Sequence, residues 1–228
     1  MIRHRLHLLL CLAACLVAPL ATAETIVGSG RLVAETRDVT PFTGISLSIS
    51  GHVEVTQGDK EGLTVTADDN VLPLIETVVE RNRLVIRWKD RKGNSTLTIN
   101  GGPRIAVSVR NLESIAIGGS GELRAAALKT GNLQVSIGGS GNVQIAALTA
   151  TDVSVSIGGS GDLSVAGRTD SLSASIAGSG EVKASRLEAG RVKVSIAGSG
   201  DVKYYGDPAV SRSVVGSGSI KRLGPAPA

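Results

Sequence analysis

A short signature, Gly/Ala-Gly-Ser-Gly, recurs five times in the second half of the chain, at 118–121, 138–141, 158–161, 177–180 and 197–200, with a shortened copy at Gly216-Ser217-Gly218. Its serines are 20, 20, 19, 20 and 18 residues apart. A fixed period of this length marks a stacked array of one small unit, in which each unit contacts only its neighbours.

Between signatures the apolar residues alternate with polar ones, as in Leu133-Gln134-Val135-Ser136-Ile137, Val153-Ser154-Val155-Ser156-Ile157, Leu172-Ser173-Ala174-Ser175-Ile176 and Val192-Lys193-Val194-Ser195-Ile196. A period of two is the signature of a strand with one buried face. Aligning the units places Leu123, Val143, Leu163, Val182, Val202 and Ile220 in one column and Ile117, Ile137, Ile157, Ile176 and Ile196 in another. Both read as inward stacks, with Ser, Gln, Lys and Arg outside.

One such unit buries too few aliphatics, at roughly 1.5 kcal/mol or more each, to offset the cost of ordering its own backbone. Stability must come from hydrogen-bonded neighbours about 4.8 Å apart. A propeller blade needs about twice this period, and a leucine-rich repeat needs a different motif and a helical return. The sequence therefore predicts an all-β, right-handed parallel β-helix with rungs of about 20 residues.

The N-terminus carries basic Arg3, His4 and Arg5, an apolar run over 6–20, and Ala21-Thr22-Ala23 as a small-x-small cleavage site. These are the parts of a secretory signal peptide, with an apolar run too short to span a bilayer. Cleavage after Ala23 is expected, leaving no transmembrane span. Lipidation at Cys15, within the lipobox-like Leu12-Ala13-Ala14-Cys15, is the alternative.

Both cysteines, Cys11 and Cys15, fall in this leader, so disulfides and thiolate metal sites are not expected after cleavage. Removing Arg3 and Arg5 leaves 22 basic against 20 acidic residues, a formal +2, and with it no nucleic-acid footprint. The only aromatic residues are Phe42, Trp88, Tyr204 and Tyr205, which suits a thin aliphatic core.

The first half alternates less regularly, at 45–49, 53–55, 63–66, 84–86 and 105–109, with turn residues at Gly58-Asp59, Arg81-Asn82 and Gly101-Gly102-Pro103. It reads as further coils with irregular corners and an N-terminal cap. Asp68 and Asp69 are placed to cap a short helical turn before Pro73. The expected organisation is a signal peptide over 1–23, a lead-in over 24–37, one β-helical domain over 38–223 and a frayed tail over 224–228. Within the domain the irregular coils occupy 38–104 and the regular repeats 105–223.

The ordered motifs Arg37-Asp38-Val39-Thr40-Pro41-Phe42-Thr43-Gly44-Ile45, Val53-Glu54-Val55-Thr56-Gln57-Gly58, Ala67-Asp68-Asp69-Asn70-Val71-Leu72-Pro73-Leu74-Ile75 and Leu84-Val85-Ile86, followed by the Gly-Ser-Gly repeats, resemble the "putative auto-transporter adhesin, head GIN domain" family. The resemblance implies a secreted or envelope-associated bacterial β-helical protein with no established biochemical activity. It supplies no catalytic residue.

No cofactor, metal ligand or catalytic residue is nominated by the sequence. The glycine loops lack the Lys of a P-loop and the helix of a dinucleotide fold. Gly158-Gly159-Ser160-Gly161-Asp162 begins like a calcium nonapeptide, but Asp162 falls one place early and the period is 20. The column Glu122, Asn142, Asp162, Glu181, Asp201 stands instead beside Arg124, Gln144, Ser164, Lys183, Lys203, Lys221, which predicts a charge-balanced face. Once the leader is removed, His52 is the one histidine, and no nucleophile elbow accompanies it.

Two functional classes remain. One is a non-catalytic module that binds an envelope or extracellular macromolecule in the periplasm, outer envelope or at the cell surface. The other is a polysaccharide-active β-helical enzyme or glycan-binding protein, for which Asp68, Asp69, Lys89, Asp90 and Arg91 are the clusters to inspect.

Overall fold

The computed structural model describes residues 24–89, 95–99 and 101–225. The expected leader with Cys15, the nominated Asp90 and Arg91, and the last three residues of the tail lie outside the described residues.

The lead-in forms β1 (Glu24–Val27) and β2 (Leu32–Arg37). The first half supplies β3 (Gly44–Leu47), β4 (His52–Gln57), β5 (Gly62–Asp68), β6 (Ile75–Glu80), β7 (Arg83–Trp88), β8 (Ser95–Thr98) and β9 (Arg104–Val109). The repeats supply β10 (Ser114–Gly119), β11 (Glu122–Ala125), β12 (Leu128–Gly139), β13 (Asn142–Gly159), β14 (Asp162–Gly178), β15 (Glu181–Gly198), β16 (Asp201–Tyr204), β17 (Ala209–Gly216) and β18 (Ser219–Arg222).

These strands wind into a parallel β-solenoid with three walls. The first wall runs β7, β3, β10, then the C-terminal parts of β12 to β15, then β17. The second runs β9, β4, β11, then the N-terminal parts of β13 to β15, then β16 and β18. The third is built from the Leu128, Leu148, Gly167 and Leu187 rungs.

Both aliphatic columns read from the sequence are register partners in space. Ile117, Ile137, Ile157, Ile176 and Ile196 pair rung to rung, as do Leu123, Val143, Leu163, Val182, Val202 and Ile220. The inward residues fill the lumen, and the outward Ser136, Ser156, Ser175, Ser195 and Ser213 form a flat hydroxyl-bearing column.

The signature's four positions do different jobs. At Gly159 the backbone adopts φ 135°, and the same residue in neighbouring rungs also has positive φ, where a side chain would press on the preceding rung's carbonyl. Gly161 has no room for a Cβ, which would lie 2.5 Å from Ile137 Cγ2. Gly158 faces open space, and there the later copies accept Ala177, Ala197 and finally Val215. The 19-residue unit has a register shift at Ile145/Leu148, where Gly167 replaces the third-wall leucine.

The coils of the first half do not stack in chain order. The rung made by β7 and β9 packs on one side of β3 and β4, while β10 and β11 pack on the other. The end is then closed by antiparallel strands: β5 on β9, β2 on β5, and β6 on β7. The β6–β7 turn has positive φ at Arg81 (50°) and Asn82 (63°), which a two-residue type I′ hairpin demands. Exposed ladder edges invite pairing, so reversing the chain here covers the first rung.

A short 3₁₀ turn forms at Leu72–Leu74, around Pro73 as expected, but its N-cap is Val71 and no side chain caps it. Asp69 and Asn70 bond elsewhere. Another amide does serve as an end cap: Gln57 Oε1 accepts from Lys129 N at 2.7 Å and its Nε2 donates to Lys129 O and Arg110 O at 2.9 Å each. The Gln57 side chain thereby stands in for a peptide group at the first rung of the third wall.

Candidate functional site

The acidic cluster inspected for chemistry is committed to structure. Asp69 Oδ1 accepts from Ser29 Oγ at 2.5 Å and its Oδ2 from Arg31, whose Nη2 is 2.7 Å away. Asn70 Oδ1 accepts from Ser29 N at 3.0 Å, and Asn70 Nδ2 donates to Val27 O at 2.8 Å. The Ser29 hydroxyl and then Arg31 hold the Asp69 carboxyl below its usual range against partial burial. Asp68 is buried beside Gly28, where a Cβ would collide with its carboxylate, and Lys89 is exposed.

This arrangement pins the lead-in to the cap. Asp69→Ala should therefore speed proteolytic cutting within 28–31 while leaving the main melting transition nearly unchanged, as limited proteolysis beside a thermal melt can measure.

The second wall carries the charged columns. Partners across one rung are His52 and Glu122, then Glu122 and Asn142, Asn142 and Asp162, Asp162 and Glu181, and Glu181 and Asp201. The adjacent column runs Arg124, Gln144, Ser164, Lys183, Lys203, Lys221. The two columns neutralise each other: Arg124 Nε lies 2.7 Å from Glu122, Lys183 Nζ 3.0 Å from Glu181 and 3.6 Å from Asp162, and Lys203 Nζ 2.7 Å from Glu181. The charge balance read from the sequence is present in the geometry.

Burial pushes the Glu181 carboxyl up, but hydrogen bonds from Lys203 and Lys183 and their charges outweigh it and hold it below its ordinary 4.5. A depressed folded pKa contributes stability that is complete above about the ordinary value and is lost as pH falls through the folded one. Melting temperature should thus drop more steeply below pH 4.5 for the parent than for Glu181→Gln. Thermal melts from pH 7 to pH 3 check this.

Near its N-terminal end this wall has a shallow depression of ≈ 500 Å³ with His52, Glu54, Arg104, Glu122 and Arg124 on its lining. His52 Nδ1 is 3.0 Å from Glu122 Oε2. The contact joins register partners on adjacent rungs, and the pairs of Lys183 with Asp162 and Lys203 with Glu181 also cross from one rung to the next. Among the described residues no group of three or more His, Cys, Asp or Glu side chains could hold a metal ion.

The third wall is different. An open trough of ≈ 940 Å³ follows it, lined among others by Arg110, Lys129, Thr149, Arg168, Asp170 and Glu188. Lys129, Thr149, Arg168 and Glu188 occupy one outward column, one residue per rung. The floor is fixed by Thr169, whose buried hydroxyl lies 2.9 Å from Thr151 O and 3.1 Å from Ser171 O. Among the described residues Lys129, Arg168, Asp170 and Glu188 have no ion-pair partner, in contrast to Glu122, Arg124, Asp162, Glu181, Lys183 and Lys203 of the second wall.

Sequence reasoning missed this trough. Its residues do share a column in the aligned repeats, but nothing in that column distinguishes a paired charge from an unpaired one.

No helix among the described residues is long and apolar enough to cross a membrane. No curated protein sequence matches this chain. Among solved structures, the chain is similar to a putative adhesin from Bacteroides fragilis, with 27% identity and a TM-score of 0.75 over 87% of this chain and 100% of that one. It is also similar to a putative lipid binding protein from Parabacteroides distasonis, with 26% identity and a TM-score of 0.70 over 88% of this chain and 100% of that one. A putative adhesin from Parabacteroides merdae shares the fold, at 19% identity and a TM-score of 0.61 over 88% of this chain and 100% of that one. The family model described as "Putative auto-transporter adhesin, head GIN domain" matches residues 41–226, and the chain belongs to that family.

Proposed function

We propose that this domain is a non-catalytic interaction module of the bacterial envelope, holding an extended acidic polymer along its third wall. The observation that carries this reading is the column of solvent-open side chains in which the unpaired cations Lys129 and Arg168 stand two rungs apart on a rigid scaffold, with the unpaired acids Asp170 and Glu188 confined to the C-terminal end of the trough. Solenoids bind along extended faces of this kind. An adhesin-like family and adhesin-like neighbours support the same class.

A neighbour's lipid-binding description raises a second ligand class. In this chain the lumen is filled by aliphatic columns such as Ile137, Ile157 and Ile176, each 1–2% exposed, so contact with any ligand belongs to the outer walls. The enzymatic alternative calls for Asp68, Asp69 or Asp90 converging with a basic side chain in a groove; Asp69 is bound to Ser29 and Arg31 at the cap, and Asp90 lies outside the described residues.

Reversing Lys129 and Arg168 to Glu together should lower retention of polygalacturonate, an acidic probe, by about ten-fold or more, make the remainder insensitive to salt, and leave any dextran binding unchanged. Equal retention by parent and double variant would remove the trough from consideration.

Export is part of the proposal, with cleavage after Ala23 and residence in the periplasm or at the cell surface. Mass spectrometry of the mature N-terminus should find Glu24 first; an acylated Cys15 would make the protein a membrane-anchored lipoprotein.

A further inference from the structure

In a parallel ladder each rung covers the one before it. On β15 the inward Val192, Val194 and Ile196 are each 1% exposed. Their register partners on β17 are Val210, Arg212 and Val214, and Val210 and Val214 are 40% and 39% exposed. Among the described residues β17 pairs with β15 alone, so one edge of this eight-residue strand presents unpaired backbone N–H and C=O groups.

Arginines end the core columns at three places. Arg37 follows Leu63 at the N-terminal end of the second wall. Arg222 follows Tyr204 at that wall's other end, and Arg212 follows Val194 on the first wall. Arg37 donates to Ile75 O at 2.7 Å, Leu72 O at 3.1 Å and Thr77 Oγ1 at 3.1 Å, and pairs with Glu35 at 2.9 Å. Arg222 donates to Gly206 O at 2.6 Å and lies 3.4 Å from Asp207. Among the described residues the Arg212 guanidinium has neither a hydrogen-bond nor an ion-pair partner.

We infer that the open C-terminal end binds an extended strand of a partner polypeptide, laid on the free edge of β17, with a carboxylate set between two aliphatic side chains at alternate positions. The backbone edge supplies the ladder bonds. Two aliphatic side chains cover Val210 and Val214, and the carboxylate between them meets Arg212. Lys221 on β18, which has no ion-pair partner among the described residues, adds to the attraction for an acidic segment. The outward Ser211 and Ser213 are small and impose no size selection.

A second copy of this chain fits the edge poorly. Two-fold antiparallel pairing of β17 centred on Arg212 opposes Arg212 to itself. Like charges placed directly opposite are destabilising.

The test uses the full exported protein and the synthetic peptide Thr-Val-Thr-Glu-Thr-Val-Thr, with a control carrying Lys in place of Glu. Binding is followed by fluorescence anisotropy and by amide hydrogen exchange over 209–216. The Glu peptide should bind about ten-fold more tightly than the Lys peptide and protect the β17 amides. Arg212→Glu should invert the preference, and Arg212→Gln, which keeps a hydrogen-bonding side chain without the charge, should erase it. Equal binding of the two peptides, no protection at 209–216, or a charge reversal without effect would overturn the inference. So would sedimentation showing a dimer with β17 already protected, which would give the edge to a second copy.

Discussion

Ile157→Asp should unfold most of the molecule's margin of stability, while Ser156→Asp, one residue away, should leave it nearly untouched. Ile157 is 1% exposed and stacks between Ile137 and Ile176 in adjacent rungs. A carboxylate there has no partner and no water. Buried uncompensated charge is among the few mechanisms that cost about 4–5 kcal/mol from one substitution, against total stabilities of about 5–15 kcal/mol. Ser156 points outward between Ser136 and Ser175, where a substitution should stay within about 0.5 kcal/mol. Urea denaturation followed by circular dichroism separates the two. Equal midpoints for Ile157→Asp and the parent would mean that the wrong face has been placed inside.

Gly161→Ala should be the second large effect, with Gly158→Ala as its neutral twin. A Cβ at Gly161 would lie 2.5 Å from both Gly141 O and Ile137 Cγ2, one of them backbone that is itself held in the ladder. Relief requires the two rungs to separate, and overpacking of this kind costs about 1–3 kcal/mol. At Gly158 nothing lies within 4 Å, and the corresponding Ala177 and Ala197 show that a methyl group is accommodated in the same fold. Denaturation midpoints of both variants check this. A loss at Gly158 as large as that at Gly161 would contradict the assignment of roles within the signature.

The regular half of the fold was legible because its information is local and repeated. Each unit states the inward column, the outward column and the corner, and neighbouring units need only be aligned for Ile137 to find Ile157. The irregular half gave its strands but not their order. Nothing in the sequences of β3 and β7 tells which face of the Ile45 rung Leu84 covers, because that choice is made by the antiparallel strands that close the end.

The acidic pair misled for a related reason. Asp68 and Asp69 stand out by composition, yet the partners that decide their role, Gly28, Ser29 and Arg31, lie about 40 residues earlier in the chain. The same holds for Gln57, an ordinary strand residue by sequence whose amide completes a rung begun at Lys129, 72 positions later. In the trough, Lys129 and Arg168 share a column with Glu188, so only the spatial separation of the charges shows that they are left unpaired.

We propose that the chain binds along its third wall and does not transform what it binds. Amide hydrogen exchange of the exported protein with and without polygalacturonate, with the polymer's chain length followed in the same samples, tests both halves of that claim. Protection is expected over 129–131, 149–151 and 168–170, with the polymer unshortened. Shortening of the polymer that disappears on substitution of a single carboxylate, or protection centred on the His52–Glu122 depression with none along the third wall, would contradict it.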